Sequence, residues 1–229
     1  MMFNQALSYD DVLLTPQYSD IESRSEVSLA SELDKNNNFD LPIIASPMDT
    51  IVEGEMAVAL AELGALGVIH RYNSVLDQKR MVWDVANKVS NKPVAAAIAI
   101  TGDFVDRAEA LVDAGVDILC VDVAHGHHMM MRNALATLKR NLPNNVHIIA
   151  GNVATRKGYE ALAEWGADSV RIGIGGGSIC STRVQTGHGI PTFQSVLDCS
   201  ESECAGEIPI IADGGIKTSG DIVKAIGAG

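Results

Sequence analysis

Cys180 stands three residues beyond a run of three glycines, in Gly173-Ile174-Gly175-Gly176-Gly177-Ser178-Ile179-Cys180-Ser181-Thr182-Arg183. A thiol in such a place has two kinds of fate. Next to Arg183 and loop amides its pKa falls and the thiolate becomes a nucleophile. Packed away, it is a small hydrophobe. The glycines let the backbone turn tightly and come close to a ligand, because no Cβ intervenes. Successive amides in such a turn form an anion-binding nest, and Ser178 adds a hydroxyl donor. A plain surface turn would use the same glycines.

Further polar residues close other short apolar runs. They are Ser46-Pro47-Met48-Asp49-Thr50, His70-Arg71-Tyr72-Asn73, Asp122-Val123-Ala124-His125-Gly126-His127-His128, Gly151-Asn152 and Asp213-Gly214-Gly215. Asp213 with two permissive neighbours suits sugar hydroxyls beside a close backbone, and also suits an ordinary turn. A buried amide such as Asn152 must find partners. Asp49 and Asp122 either cap the following helices or face a ligand. His125, His127 and His128 match no zinc spacing. Met129-Met130-Met131 reads as helix-core packing. Cys120, inside an apolar run, reads as core, and Cys199 and Cys204 read as structural thiols.

The elements that must position these residues alternate. Short apolar runs at Leu41–Ser46, Ala65–His70, Val94–Ile100, Ile118–Val123, His147–Gly151, Ser169–Ile174 and Ile208–Ala212 are each followed by a stretch of helical spacing. The helical stretches are Gly54–Leu63, Val75–Val89, Phe104–Ala114, His127–Asn141, Arg156–Trp165, Thr192–Asp198 and Ser219–Ala225. Ala114-Gly115-Val116-Asp117 and Trp165-Gly166-Ala167-Asp168 mark helix ends, with glycine as the left-handed cap. Such alternation predicts a parallel sheet with crossover helices. Seven units suggest a (β/α)8-type barrel one unit short, since the full fold typically takes about 250 residues. An open doubly wound sheet is the competing architecture. In such barrels the strands' C-terminal ends carry the site, so the polar strand ends predict a polar ligand on one rim. Residues 1–40 lack a sustained period, with a turn expected at Asn36-Asn37-Asn38. They are expected to form an arm packed on a partial barrel spanning 41–229.

Composition narrows the partners. A formal net charge of −12 argues against a nucleic-acid groove, while leaving room for a local phosphate site built from backbone amides. The four cysteines have neither metal nor secreted-scaffold spacing, and read as reduced thiols of a cytoplasmic protein. No membrane span or signal peptide is evident.

In combination, several motifs are specific. Tyr9-Asp10-Asp11-Val12-Leu13-Leu14, Ser46-Pro47-Met48-Asp49-Thr50, Asp122-Val123-Ala124-His125-Gly126-His127, Ala150-Gly151-Asn152-Val153, the glycine loop through Arg183, Thr186-Gly187-His188-Gly189 and Ala212-Asp213-Gly214-Gly215-Ile216 resemble the IMP dehydrogenase/GMP reductase family. The resemblance runs from about Leu7 to Gly229, and the family fold is the barrel. It implies redox chemistry at C2 of a purine nucleoside monophosphate (GMP, IMP or XMP), with NADPH or NAD. Cys180 would form the covalent intermediate, with Thr182 beside it helping to activate water or ammonia. Ser178 and the loop amides would hold the 5′-phosphate, with Asp213 on the ribose and Gly215 alongside. Ser46, Met48 and Asn152 would line the nucleotide site, and Asp122 would face the cofactor. Carbonyls of Gly175, Gly177 and Cys180 would ligate potassium in members that bind it. Homotetramers are usual in the family.

Departures from the family pattern carry their own expectations. Gly176 replaces a common proline, which suggests a more mobile loop, and Arg171 replaces a common lysine. The family's eighth strand, mobile flap and second phosphate loop are not in the chain, which suggests a truncated member. The reductase glutamate or the dehydrogenase Arg–Tyr pair would lie in that region. No CBS insert interrupts His70-Arg71-Tyr72-Asn73-Ser74. With Ser23-Arg24-Ser25-Glu26 and Ala124-His125-Gly126-His127, that leans toward a reductase. Ser46-Pro47-Met48-Asp49-Thr50 and Ile211-Ala212-Asp213-Gly214-Gly215-Ile216 look more like a dehydrogenase. An inactive fragment or one half of a split enzyme is the further alternative.

Overall fold

Short runs of Val, Ile, Leu and Ala become strands buried on both faces, as a parallel sheet covered by helices requires. A computed structural model describes residues 5–229. Two 3-10 turns, Tyr9–Asp11 and Arg24–Glu26, precede a hairpin of β1 (Ser31–Asp34) and β2 (Asn37–Phe39). Then follow β3 (Ile44–Ala45), α1 (Gly54–Glu62), β4 (Leu66–Ile69), α2 (Val75–Lys88), β5 (Ala95–Ile98) and α3 (Phe104–Asp113). The chain continues through β6 (Ile118–Asp122), α4 (Met129–Asn141), β7 (His147–Val153), α5 (Arg156–Glu164) and β8 (Ser169–Ile172). It ends with α6 (Thr182–Thr186), α7 (Thr192–Ser200), β9 (Ile210–Ala212) and α8 (Ser219–Gly227). The seven strands β3 to β9 lie in one sheet in chain order. This is the α/β fold of an incomplete (β/α)8-type barrel. Strands β4, β5, β7 and β8 are buried along their whole length, whereas β3 and β9, the two ends of the sheet, are half-exposed.

The repeated Gly-x-Asp explains how successive units are stitched. Gly115 and Gly166 end α3 and α5 at φ of 93° and 99°, the left-handed cap that favours glycine. Two residues later an aspartate exchanges two hydrogen bonds with the start of the preceding strand. The Asp117 carboxylate accepts from Val94 N at 2.9 Å, and Val94 O accepts from Asp117 N. Asp168 does the same with Ile148, at 2.7 Å through the carboxylate. Helices α2, α5 and α8 start on hydroxyl caps, Ser74, Thr155 and Thr218, each satisfying an amide that the helix itself leaves open.

The chain divides into two compact units. In the unit of residues 15–120 and 141–147, β4 pairs in parallel with both β3 and β5. Gln78, fully buried, donates to Ala97 O and His70 O, and accepts from Arg107 at 2.8 Å. The hairpin belongs to this unit. Its turn falls at Lys35-Asn36, one position before the expected centre, so Asn37 and Asn38 are strand residues. Asp34 accepts from Asn36 N, Asn37 N and Asn37 Nδ2, and pairs with buried His147 at 2.5 Å. That polar anchor explains why the hairpin shows no hydrophobic period.

The other unit comprises residues 121–140, 148–229 and the described part of the first fourteen. Here β8 pairs in parallel with β7 and β9. Leu7 and Gln194 exchange hydrogen bonds, Tyr9 packs edge-on against Phe193, and Lys224 donates to Tyr9 O. Of the methionine run only Met131 is core. Met129 and Met130 are 61% and 42% exposed, because α4 turns just one of three consecutive residues inward.

Candidate active site

Two glycine loops, one after β8 and one after β9, are built against each other. A Cβ on Gly173 (φ 147°) would fall 1.9 Å from Asp213 O. One on Gly214 (φ 87°) would fall 2.9 Å from Gly177 N, and one on Gly215 (φ 82°) 3.0 Å from Gly176 O. At these positions the close approach that excludes a Cβ is to protein backbone. Gly176 has a different neighbour. A Cβ there would meet the Thr192 hydroxyl at 2.1 Å. Its glycine therefore reflects occupied space, whereas the sequence suggests mobility.

Cys180 lies on the turn closing this loop, half-buried, with its N–H donating to Gly177 O at 3.2 Å. That Gly177 carbonyl is one of the three the sequence associates with potassium. The Thr182 hydroxyl and Thr182 N–H, helped by Gly175 N–H and the charge of Arg183, hold the Cys180 thiol below its ordinary pKa against a smaller opposing effect of burial. Thr182 opens α6, a short helix that sequence reasoning missed because none of its five residues is buried. Ser178 is exposed on the same loop, and an Ile174–Ile190 bridge closes the longer excursion.

Next to the loop lies a network of charged and polar groups. Arg171 donates from Nη1 to Asp122 Oδ1 and from Nη2 to Asp213 Oδ2, each at 2.9 Å. Asn152 Nδ2 donates to the same Asp213 oxygen at 2.6 Å and to Gly173 O at 2.8 Å. The buried amide thus has the partners it needs, and they are protein groups. Its aim has a backbone cause. Gly151 pairs with Arg171 and Val153 with Ile172, which leaves Asn152 as the extra residue of a β-bulge, a device that redirects a side chain. Asp122 is held by Arg171.

Of the expected site residues, Asn152, Asp122, Ser178, Cys180, Thr182, Asp213 and Gly215, with Gly175 and Gly177, all belong to this one unit. Ser46 and Met48 belong to the other, half-buried on a turn after β3 in which Met48 N donates to Ser46 O at 2.8 Å. Asp49 on that turn is exposed, and Glu53 occupies the cap position of α1. His70 accepts from Tyr72 N at Nδ1, which puts its proton on Nε2, facing Glu53 at 3.3 Å. His127 packs near Trp165, and among the described residues no group of three or more His, Cys, Asp or Glu is arranged to hold a metal. Sequence reasoning passed over the role of Arg171, although a charge inside the apolar Ser169–Ile172 run was a signal that an acid had to be near.

A parallel α/β sheet with a nucleophile candidate and paired carboxylates at its strand ends defines an enzyme of barrel type. The model of the IMP dehydrogenase / GMP reductase domain matches residues 6–229, and the chain belongs to that family. The inosine-5′-monophosphate dehydrogenase of Nitrosopumilus maritimus (strain SCM1) is 31% identical, over 100% of this chain and 74% of its own length. That of Cryptosporidium parvum is 36% identical, over 98% and 65%. The GMP reductase of Leishmania major is 30% identical, over 98% and 73%. The chain therefore spans between 65% and 74% of the length of these relatives. Among the described residues no helix is long and apolar enough to cross a membrane.

Proposed function

We propose that the chain carries the catalytic thiol and most of the nucleotide site of an enzyme performing redox chemistry at C2 of a purine nucleoside monophosphate. The observation that carries this is Cys180, a thiol with a lowered pKa on a glycine loop backed by the Asp213 loop. The thiolate adds to C2 and makes a tetrahedral carbon, and the proton is taken up on the ring. One difficult substitution is thereby split into two easier steps. Thr182 favours the thiolate before attack and stands next to the adduct to position water or ammonia. Asp213, fixed by Arg171 and Asn152, accepts from the ribose hydroxyls. Ser178 and the loop amides take the phosphate. Asp122, oriented by Arg171 and with its side chain 17% exposed, is an acceptor that fits a cofactor ribose. The nicotinamide cofactor, when bound, accepts or supplies the hydride.

Different observations support the two directions. The motifs around Arg24 and His125 favour reduction, GMP and NADPH giving IMP and ammonia. Two relatives at 36% are named dehydrogenases, which supports oxidation, IMP, NAD and water giving XMP, while others so named stand at 28–31%, beside the reductases at 30%. The missing insert favours neither. The Leishmania major reductase aligns over 357 positions and the Cryptosporidium dehydrogenase over 266.

The test is acid-quenched intact-mass spectrometry of the chain with GMP plus NADPH and with IMP plus NAD. One pair should leave a purine adduct that Cys180→Ala lacks, and that pair names the direction. An adduct undiminished in Cys180→Ala would overturn the nucleophile assignment. Nucleotide binding with neither adduct nor turnover would favour the reading of the chain as one half of a split enzyme.

A further inference from the structure

Arg171 sits inside β8, a strand buried along its whole length, and its own side chain is 10% exposed. Its two terminal nitrogens serve different acids. Asp122 ends β6 and Asp213 follows β9, so within the sheet order the guanidinium reaches past β7 on one side and meets the neighbouring strand's loop on the other. The path past β7 is open because Gly151 is the residue in register with Arg171. A Cβ on Gly151 would stand 2.6 Å from Arg171 Cβ and 2.8 Å from Arg171 O. Burying a cation in this way is costly unless its geometry and pairing are good. A planar fork with separate donors on each side can supply that pairing, and a single ammonium cannot.

We propose that Arg171 is a positioning residue that ties the nucleotide-side carboxylate, Asp213, to the cofactor-side carboxylate, Asp122, through one rigid guanidinium. This rests on the functional reading above. A ribose that orders Asp213 thereby orders Asp122, and the coupling runs equally in reverse. Asn152, on the same oxygen of Asp213 as Arg171, extends the tie to the backbone of the glycine loop.

The test is a calorimetric double-mutant cycle on the 229-residue chain, with IMP and GMP as probes and no cofactor present. Asp122→Asn should weaken nucleotide binding about tenfold or somewhat more, the scale of one charge-assisted hydrogen bond, although Asp122 is not assigned to the nucleotide. In an Arg171→Gln background the same change should do nothing further. Arg171→Lys keeps the charge and supplies the same cycle if the Gln variant does not fold. It too should abolish the effect of Asp122→Asn. An Asp122→Asn change that leaves nucleotide affinity untouched, or that weakens it equally in all three backgrounds, overturns the tie alone. A parent chain that binds neither nucleotide overturns the functional reading and the tie with it.

Discussion

Cys180 and Cys199 lie in the same compact unit, and their surroundings push them in opposite directions. On the glycine loop, Thr182, Gly175 and Arg183 favour the thiolate and outweigh partial burial. In α7, burial dominates, Asp198 adds to it, and the Cys199 thiol is pushed up to about 12. Two aspartates of the other unit repeat the contrast. Burial works to raise Asp34, but donors from Asn37, Asn36 and His147 prevail and hold it low. Burial raises Asp117, and its one backbone donor, Val94 N, is too little to reverse that. Reactivity here depends on how many donors the fold aims at a buried group, more than on burial itself.

The largest expected effect is in thiol labelling. Cys180 should react with iodoacetamide at neutral pH in the native state. Cys199 and Cys120, both fully buried, should react only through unfolding. For a domain of ordinary stability, that protects them by a factor on the order of 10³ or more. Peptide mapping after a short pulse reads the ratio. Comparable labelling of Cys180 and Cys199 would break the contrast at its root.

The next effect concerns what supports the Cys180 loop. Gly176→Ala should destabilise the chain by about 1–3 kcal/mol, the usual range for overpacking, because the new methyl meets Thr192 Oγ1. Thr192→Ala removes that oxygen. The pair should therefore be non-additive, the double variant recovering much of the loss in a urea titration. If Gly176→Ala is harmless alone, the loop is loose as the sequence suggests, and Cys180 is held less firmly than its neighbours imply.

The alternation of strands and helices was legible because parallel strands buried on both faces read as short apolar runs, and each found a strand. The first shrank most, from Leu41–Ser46 to the two residues of β3. The hairpin β1–β2 was not legible, because its anchor is an Asp34–His147 pair 113 residues apart in sequence. Within the candidate site, Asn152 was legible as a residue needing partners, but the bulge that aims it was not. Likewise Arg171 announced itself as a charge in an apolar strand, without revealing which two acids it joins. Thr192 against Gly176 sets the first residue of α7 on the glycine loop, and no local pattern records it.

Thr182→Val sharpens the thiol comparison by removing the first contributor to the lowered Cys180 pKa. Its folded-state pKa should rise toward that of an ordinary thiol. The native-state alkylation profile should then move to higher pH, with a smaller thiolate fraction at neutral pH. The rate at high pH, where the thiol is fully ionised, should be nearly unchanged. A profile that stays in place would assign the lowering to the backbone N–H groups of residues 182 and 175 and to Arg183 instead.

The aspartate pair gives the smallest effects and the sharpest signs. Asp34 is lowered in the folded state, so its contribution is complete above the unfolded carboxyl pKa of about 3.9 and is lost as pH falls through the folded value. Asp34→Asn should cost about 1.5 kcal/mol at pH 7, the low end for one charged hydrogen bond because the carboxylate is partly exposed, and the cost should vanish in strong acid. Asp117 is raised, so the folded state binds its proton more tightly and its carboxylate subtracts stability at pH 7. That deficit disappears as pH falls below both values. Asp117→Asn keeps an oxygen for Val94 N–H and sheds the buried charge, so at pH 7 it should be neutral or stabilising. Urea titrations of both variants at pH 7 and near pH 3 read four signs. If Asp117→Asn destabilises at pH 7 as much as Asp34→Asn, then donor number does not separate the two sites.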